Sequence, residues 1–118
     1  MIFENDLVFI EIEPSEIPWV KVFTRREIKE FSECTTEEKL EIFRIIDIVE
    51  KQMISYFKAD KINIASFGNM LPHVHWHIMA RFKQDSHFPE PMWGQKQRQS
   101  NLTLPNFEVF FKELGGCL

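Results

Sequence analysis

His73-Val74-His75-Trp76-His77-Ile78-Met79 is the most informative segment of this chain for both its expected fold and its expected chemistry. Polar and apolar residues alternate along it, which is typical of a β-strand with one buried face. Because side chains alternate between the two faces of a strand, we expect the three histidines to project together. Val74, Trp76 and Ile78 then point into the core. Neighbouring histidines would lie about 6.6 Å apart along such a strand.

Strand signals also occur on both sides of this segment. Runs of β-branched and aromatic residues predict strands over residues 6–12, 19–23, 61–67 and 73–82. The first two runs are separated by Glu13-Pro14-Ser15, whose turn-forming residues indicate a hairpin.

The strongest helix signal starts at Thr35, which forms a capping box with Glu38. Apolar residues then recur at steps of three and four, which predicts an amphipathic helix of about 22 residues. The residues expected on its broad core face are Leu40, Phe43, Ile46, Val49 or Glu50, Met53 and Phe57, and Ile42, Ile45 and Ile54 widen that stripe.

Two shorter helical segments are predicted outside this helix. Helical spacing of phenylalanines favours a helix over residues 103–114, ended by Gly115-Gly116, and residues 25–31 favour a short helix or turn. Strands and helices do not alternate as they do in βαβ units, so the order of elements predicts an α+β fold with an antiparallel sheet. The 118 residues suffice for one core, and we expect a single domain over residues 1–118.

The composition excludes several classes of protein. A hydrophobic fraction of 44% and a charged fraction of 27% are those of a globular chain rather than a disordered one. The net charge of −4 argues against broad nucleic-acid binding, which needs a dominant positive face. No apolar run reaches the roughly 18–20 residues that cross a bilayer, so no membrane association is expected.

The expected compartment is the cytoplasm. The first residues lack the basic start and apolar run of a secretory signal. Cys34 and Cys117 match no metal-binding spacing, and two reduced thiols are typical of a reducing environment.

Three interpretations of the histidine row are compatible with its spacing. The first is a set of exposed polar residues on a half-solvated strand, although Lys, Thr or Glu would serve equally there. The second is a zinc site, in which two neighbouring histidines of an H-x-H pair bind one ion at about 2.0–2.1 Å. Such a site needs a third ligand, for which His87 is the candidate, because the outer histidines are too far apart to share an ion.

The third interpretation is a nucleophilic site. A neutral imidazole is abundant near pH 7, and its free nitrogen can attack phosphorus and hold a phosphoryl or nucleotidyl group. Flanking histidines can then donate hydrogen bonds to phosphate oxygens. An evenly spaced row suits an extended phosphate chain better than it suits a single ion.

The segment from His73 to Met79 resembles the signature of the histidine triad (HIT) family, His-φ-His-φ-His-φ-φ with φ apolar, at every position. The resemblance is to small bacterial members and extends from the first hairpin to Trp93. It implies an antiparallel sheet of about five strands carrying one long and one or two short helices, paired as a homodimer. It also implies a nucleotide hydrolase or transferase that cleaves nucleoside 5′-phosphate derivatives through a nucleotidyl-histidine intermediate, with no required cofactor or metal.

The resemblance also assigns roles to the three histidines. His75, the middle histidine of the signature, is the implied nucleophile. His77 is implied to help protonate the leaving group, and His73 is implied to hold and orient the phosphate region.

Four further residues are implied to bind the nucleotide. Asn63 matches an asparagine near the phosphate or the nucleophile, and Asn69 matches a contact to the phosphate or leaving group. Glu11 falls where the family bonds the ribose hydroxyls. Trp93 either caps the nucleotide, reaches across a dimer or packs on the sheet. Arg81, by contrast, is expected to be a solvated strand end.

Three positions depart from the family pattern. Trp19 replaces a histidine that follows the hairpin turn in many relatives, Glu27 lies in the stretch that replaces their Ile-Pro-Lys and following histidine, and Met70 replaces a serine that touches phosphate in some relatives. These departures leave open a second class of function, namely a non-catalytic nucleotide-binding or interaction module with the same pocket.

Overall fold

A computed structural model describes all 118 residues and confirms the α+β architecture. Five strands form one antiparallel sheet in the order β1-β2-β3-β5-β4. The strands are β1 (Phe3–Glu4), β2 (Val8–Ile12), β3 (Trp19–Thr24), β4 (Lys61–Ala65) and β5 (His75–Arg81). The sequence missed only the two-residue edge strand β1, which is too short to carry a periodic signal.

The register of the sheet divides its residues between two faces. His77 lies opposite Lys21 on β3 and Ala65 on β4, so these residues share one face with His75 and Phe23. The other face is wholly apolar near its centre and forms the core with the helices. Its fully buried members are Val8, Ile10, Val20, Val22, Ile78 and Ala80.

Strand β5 begins at His75, two residues later than the sequence predicts. The reason lies in the backbone pairing of the residues before it. The His73 N–H donates to the Leu71 carbonyl in a tight turn, and the Val74 N–H donates to Ile28 outside the sheet. His73 therefore stands at the entrance of the strand rather than within it.

Helix α1 (Thr36–Phe57) has the predicted capping box and the predicted length of 22 residues. Only part of the predicted apolar stripe faces the sheet. Leu40 and Phe43 are 64% and 50% exposed, because the sheet covers only one side of a wide apolar stripe. The buried apolar residues of α1 are Ile42, Ile45, Val49, Met53 and Phe57.

Helix α2 (Phe107–Cys117) packs against α1 and differs from the predicted 103–114 at both ends. Asn106 caps it by accepting a hydrogen bond from the Val109 N–H at 2.9 Å. The helix begins after Pro105, because proline has no N–H to donate within a helix. Gly115-Gly116 remains helical. Residues 25–30, predicted as a short helix or turn, form bends, and a single 3₁₀ turn follows at Phe31–Glu33. No helix is long and apolar enough to cross a membrane.

Candidate active site

A cavity of about 350 Å³ lies on the sheet face that carries His75 and His77. The connection between β4 and β5 forms one wall, and Trp93 forms part of another. No Lys, Arg, Asp or Glu side chain lines it. The lining residues are Phe67, Gly68, Asn69, Met70, Leu71, His75, His77 and Trp93.

The His75 ring is buried at this cavity in one defined orientation. Its Nδ1 lies 2.6 Å from the carbonyl oxygen of His73. Because a carbonyl oxygen only accepts, Nδ1 carries the proton and donates it, which leaves the lone pair on Nε2. The ring also stacks on Phe23, with centroids 4.9 Å apart, and Phe23 stacks on Phe9 in turn. An imidazole held in this tautomer has a free nucleophilic nitrogen.

The His77 ring, 4.9 Å from the His75 ring, has the opposite hydrogen-bonding pattern. Its Nδ1 accepts the indole N–H of Trp19 at 3.0 Å, so the proton of the neutral ring resides on Nε2. Burial lowers the pKa of His77 to about 4, helped by the charges of His75 and Lys21 and opposed by Glu13. The ring is therefore neutral near pH 7 and presents an N–H donor.

His73 does not line the cavity. Its Nε2 lies 2.6 Å from the Thr24 carbonyl and donates to it, and its ring packs edge-on against Phe9 and Phe23. Its own carbonyl is the acceptor for His75. The structure thus brings two of the three histidines together at the cavity and places the third beside them as a support.

Asn69 and Trp93 are the two implied nucleotide-binding residues that line the cavity. The Trp93 ring lies edge-on to His77 at 4.8 Å, to Trp19 at 5.3 Å and to Phe67 at 4.9 Å. Trp93 therefore contacts both the sheet and the cavity.

Asn63 and Glu11 lie outside the cavity. The Asn63 side-chain oxygen accepts a hydrogen bond from the Arg81 guanidinium at 2.7 Å. Glu11 lies opposite Lys21, which in turn lies opposite His77, so it is two strands away from the histidine pair.

The expectation that Arg81 is a solvated strand end is wrong. Arg81 and Asp85 are 1% and 0% exposed and form two hydrogen bonds, at 2.9 and 3.1 Å. Arg81 also donates to the Glu90 carbonyl at 2.7 Å. Burial alone would raise the pKa of Asp85, but Arg81 and three backbone N–H groups of residues 82–88 lower it to about 2. This ion pair fastens the segment that carries Trp93 to the sheet.

Three residues of the site were not singled out from the sequence as functional. Phe67 and Leu71 line the cavity from the connection that follows β4, where no periodic pattern marks them. Trp19 is visible in the sequence only as a departure from the family. The alternation that places His75 and His77 on one face also places Arg81 there, and nothing in this pattern indicates that Arg81 is buried.

No group of three His, Cys, Asp or Glu side chains is arranged as metal ligands. His87, the candidate third ligand, has its Nδ1 at 2.7 Å from the Ser86 hydroxyl. The Ser86 hydroxyl in turn donates to the Glu16 carboxylate.

The fold and the site define an α+β protein whose cavity is built around paired histidines. The family model of the HIT domain matches residues 1–84, and the chain therefore belongs to the HIT domain family. A comparison with curated proteins found no match.

Solved structures of bacterial histidine triad proteins share this fold. One from Bradyrhizobium japonicum is 28% identical, with a TM-score of 0.78 over 96% of this chain and 85% of its own. One from Sinorhizobium meliloti is 26% identical, with a TM-score of 0.79 over 99% and 87%. One from Marinobacter aquaeolei is 25% identical, with a TM-score of 0.74 over 98% and 82%.

Proposed function

We propose that this protein is a nucleotide hydrolase or transferase that cleaves nucleoside 5′-phosphate derivatives through a nucleotidyl-histidine intermediate on His75. The observation that carries the proposal is the free Nε2 of His75 at a cavity that also receives an N–H donor from His77. Membership of the HIT domain family supports a nucleotide as the ligand. We place the protein in the cytoplasm, in keeping with its two unpaired cysteines.

The proposed reaction proceeds in two displacements. Nε2 of His75 bonds to the α-phosphorus while the bond from phosphorus to the second group breaks, and that group leaves with the electron pair and takes a proton from solvent. Water then bonds to phosphorus, the phosphorus–Nε2 bond returns its electron pair to the ring, and the water loses one proton to solvent. Nucleoside monophosphate is released, and in a transfer reaction another hydroxyl or amine takes the place of water.

His77 supports both displacements as a hydrogen-bond donor to the phosphoryl oxygens. A ring whose pKa lies near 4 is neutral at pH 7 and lacks the second proton that an imidazolium would give to a leaving group, so this role replaces leaving-group protonation in our proposal. Negative charge that develops on those oxygens is stabilised by a donor already aimed at the cavity. No metal is required in this scheme, and we expect turnover to survive chelation.

The cavity favours an uncharged second group on the substrate. Its lining combines Phe67, Met70, Leu71 and Trp93 with no charged side chain. A polyphosphate needs cationic partners to offset the loss of water around its charges. Lys21, the cation nearest in register to His77, is already paired with Glu13 at 2.9 Å. We therefore propose a phosphoramidate or acyl derivative rather than a dinucleoside polyphosphate.

Covalent capture by mass spectrometry tests this function. We expect protein quenched during turnover of an adenosine 5′-phosphoramidate of an arylalkyl amine to gain one adenylyl group, mapped to His75. Diadenosine tetraphosphate should yield the adduct at least about tenfold more slowly, since its second group is charged. Binding without adduct or product from either compound would instead support a non-catalytic nucleotide-binding module.

We also propose that two copies of the chain pair through β4 and α1. Strand β4 is an edge of the sheet with open backbone groups, and its Ile64 is exposed. Beside it, α1 exposes the apolar side chains of Leu40, Phe43 and Ile54, which lie on one side of the helix.

A charged substitution on this face tests the pairing. Ile54→Glu should convert a dimer into a monomer in sedimentation velocity, because burying an unpaired carboxylate in the interface carries a large free-energy cost. Ile12→Glu, an exposed apolar position on β2 away from the face, is the matched control and should leave the oligomeric state unchanged. A wild-type protein that sediments as a monomer at every concentration would contradict the proposal.

A further inference from the structure

Trp19 forms a hydrogen bond with His77 in addition to packing against its ring. Its indole N–H lies 3.0 Å from Nδ1 of His77, and the two rings are nearly perpendicular with centroids 5.7 Å apart. An indole nitrogen can only donate, so this contact exists only while Nδ1 of His77 is unprotonated. Among the aromatic rings around His77, Trp93 and Phe67 touch it without a hydrogen bond.

We propose that Trp19 is a positioning residue that holds His77 in the neutral Nε2–H tautomer with that N–H directed at the cavity. The effect on catalysis rests on the proposed function, whereas the effect on the tautomer does not. The family pattern has a histidine at this position, which can donate, accept or become charged. Tryptophan removes the last two possibilities.

The hydrogen bond acts on the ring in two ways. It fixes which nitrogen faces β3 and which faces the cavity, so a ring flip would break it. It also engages the lone pair that protonation would use, which favours the neutral form. Among the neighbouring titratable groups, His75 and Lys21 lower the pKa of His77 further and Glu13 raises it. Burial already favours the neutral form of His77, and the hydrogen bond from Trp19 also fixes the orientation of its ring.

The tautomer can be measured directly by nitrogen NMR of the histidine side chains. In the wild type at pH 7, Nδ1 of His77 should show the shift of an unprotonated nitrogen and Nε2 that of a protonated one. In Trp19→Phe we expect both signals to move toward averaged values and the pKa of His77 to rise by about 0.5–1. The kcat for the phosphoramidate should fall about threefold to tenfold with KM within about twofold, because one neutral hydrogen bond is lost.

A second replacement separates the hydrogen bond from the shape of the ring. β-(3-Benzothienyl)alanine at position 19 keeps the bicyclic ring but has no N–H, and it should reproduce the NMR changes even if Trp19→Phe folds poorly. Trp93→Phe is the matched control, since Trp93 packs on the same imidazole without a hydrogen bond, and it should leave the nitrogen shifts of His77 in place. Unchanged His77 shifts and pKa in both Trp19 replacements would overturn the inference, while adduct formation on His75 tests the proposed function separately.

Discussion

His75→Ala is expected to lower turnover by at least about a thousandfold while nucleoside monophosphate still binds. The cavity wall and the His77 donor remain in the variant, so the Kd for the monophosphate should change by no more than about fivefold. The covalent adduct should disappear entirely, because no other cavity residue offers an unprotonated ring nitrogen toward phosphorus: Nδ1 of His77 is engaged by Trp19. Single-turnover kinetics combined with intact-protein mass spectrometry measure all three quantities.

Chemical rescue sharpens this test. His75→Gly leaves a space in which free imidazole can replace the missing ring, and we expect added imidazole to restore part of the turnover without restoring the protein adduct. His87→Gln, which changes a histidine outside the cavity, is the control and should retain activity within about twofold. Adduct formation in His75→Ala would show that the nucleophile is a different residue.

The sequence predicts the fold because local signals and long-range patterns agree. The capping box at Thr35 and the three- and four-residue steps fix α1, and alternation around His75 fixes the central strand. Where such signals end, prediction fails. The start of β5 depends on two backbone hydrogen bonds of Val74, whose N–H donates to the Ile28 carbonyl and whose carbonyl accepts from the Thr24 N–H, and both join segments distant in sequence. The end of α2 at Cys117 shows that two glycines alone do not stop a helix that packs well on its neighbour.

The candidate site could be predicted in part for the same reason. The signature locates His75 and His77, because their placement depends only on strand alternation. The cavity wall formed by Phe67 and Leu71, and the bond between Trp19 and His77, depend on tertiary contacts between elements. Arg81 shows the limit most clearly. A charged residue near the end of a strand is usually solvated, and only its partner Asp85 in a later loop keeps it buried.

Asp85→Asn is expected to destabilise the protein by about 3–5 kcal/mol, the typical cost of leaving a buried charge without its partner. The amide preserves shape but removes the charge that faces Arg81, and it cannot accept all the hydrogen bonds that the carboxylate accepts from Arg81 and the backbone of residues 82–88. For a domain of ordinary stability, this is a large share of the free energy of unfolding. Urea unfolding of the variant and the wild type measures the loss.

The same variant should also impair the cavity, because the segment that Asp85 fastens carries Trp93 onto His77. Glu4→Gln is the matched control: its carboxylate pairs with Arg25 at 2.8 Å on the surface, and its loss should cost no more than about 0.5 kcal/mol. The pH dependence gives an independent check. Since the folded-state pKa of Asp85 is about 2, below its ordinary value of 3.8, its contribution is complete above about pH 4 and is lost as the pH falls toward 2. The difference in unfolding free energy between wild type and Asp85→Asn should therefore be constant from pH 5 to 7 and shrink below pH 4. A difference that stays undiminished at pH 2 would mean that the ionised carboxylate does not hold this segment in place.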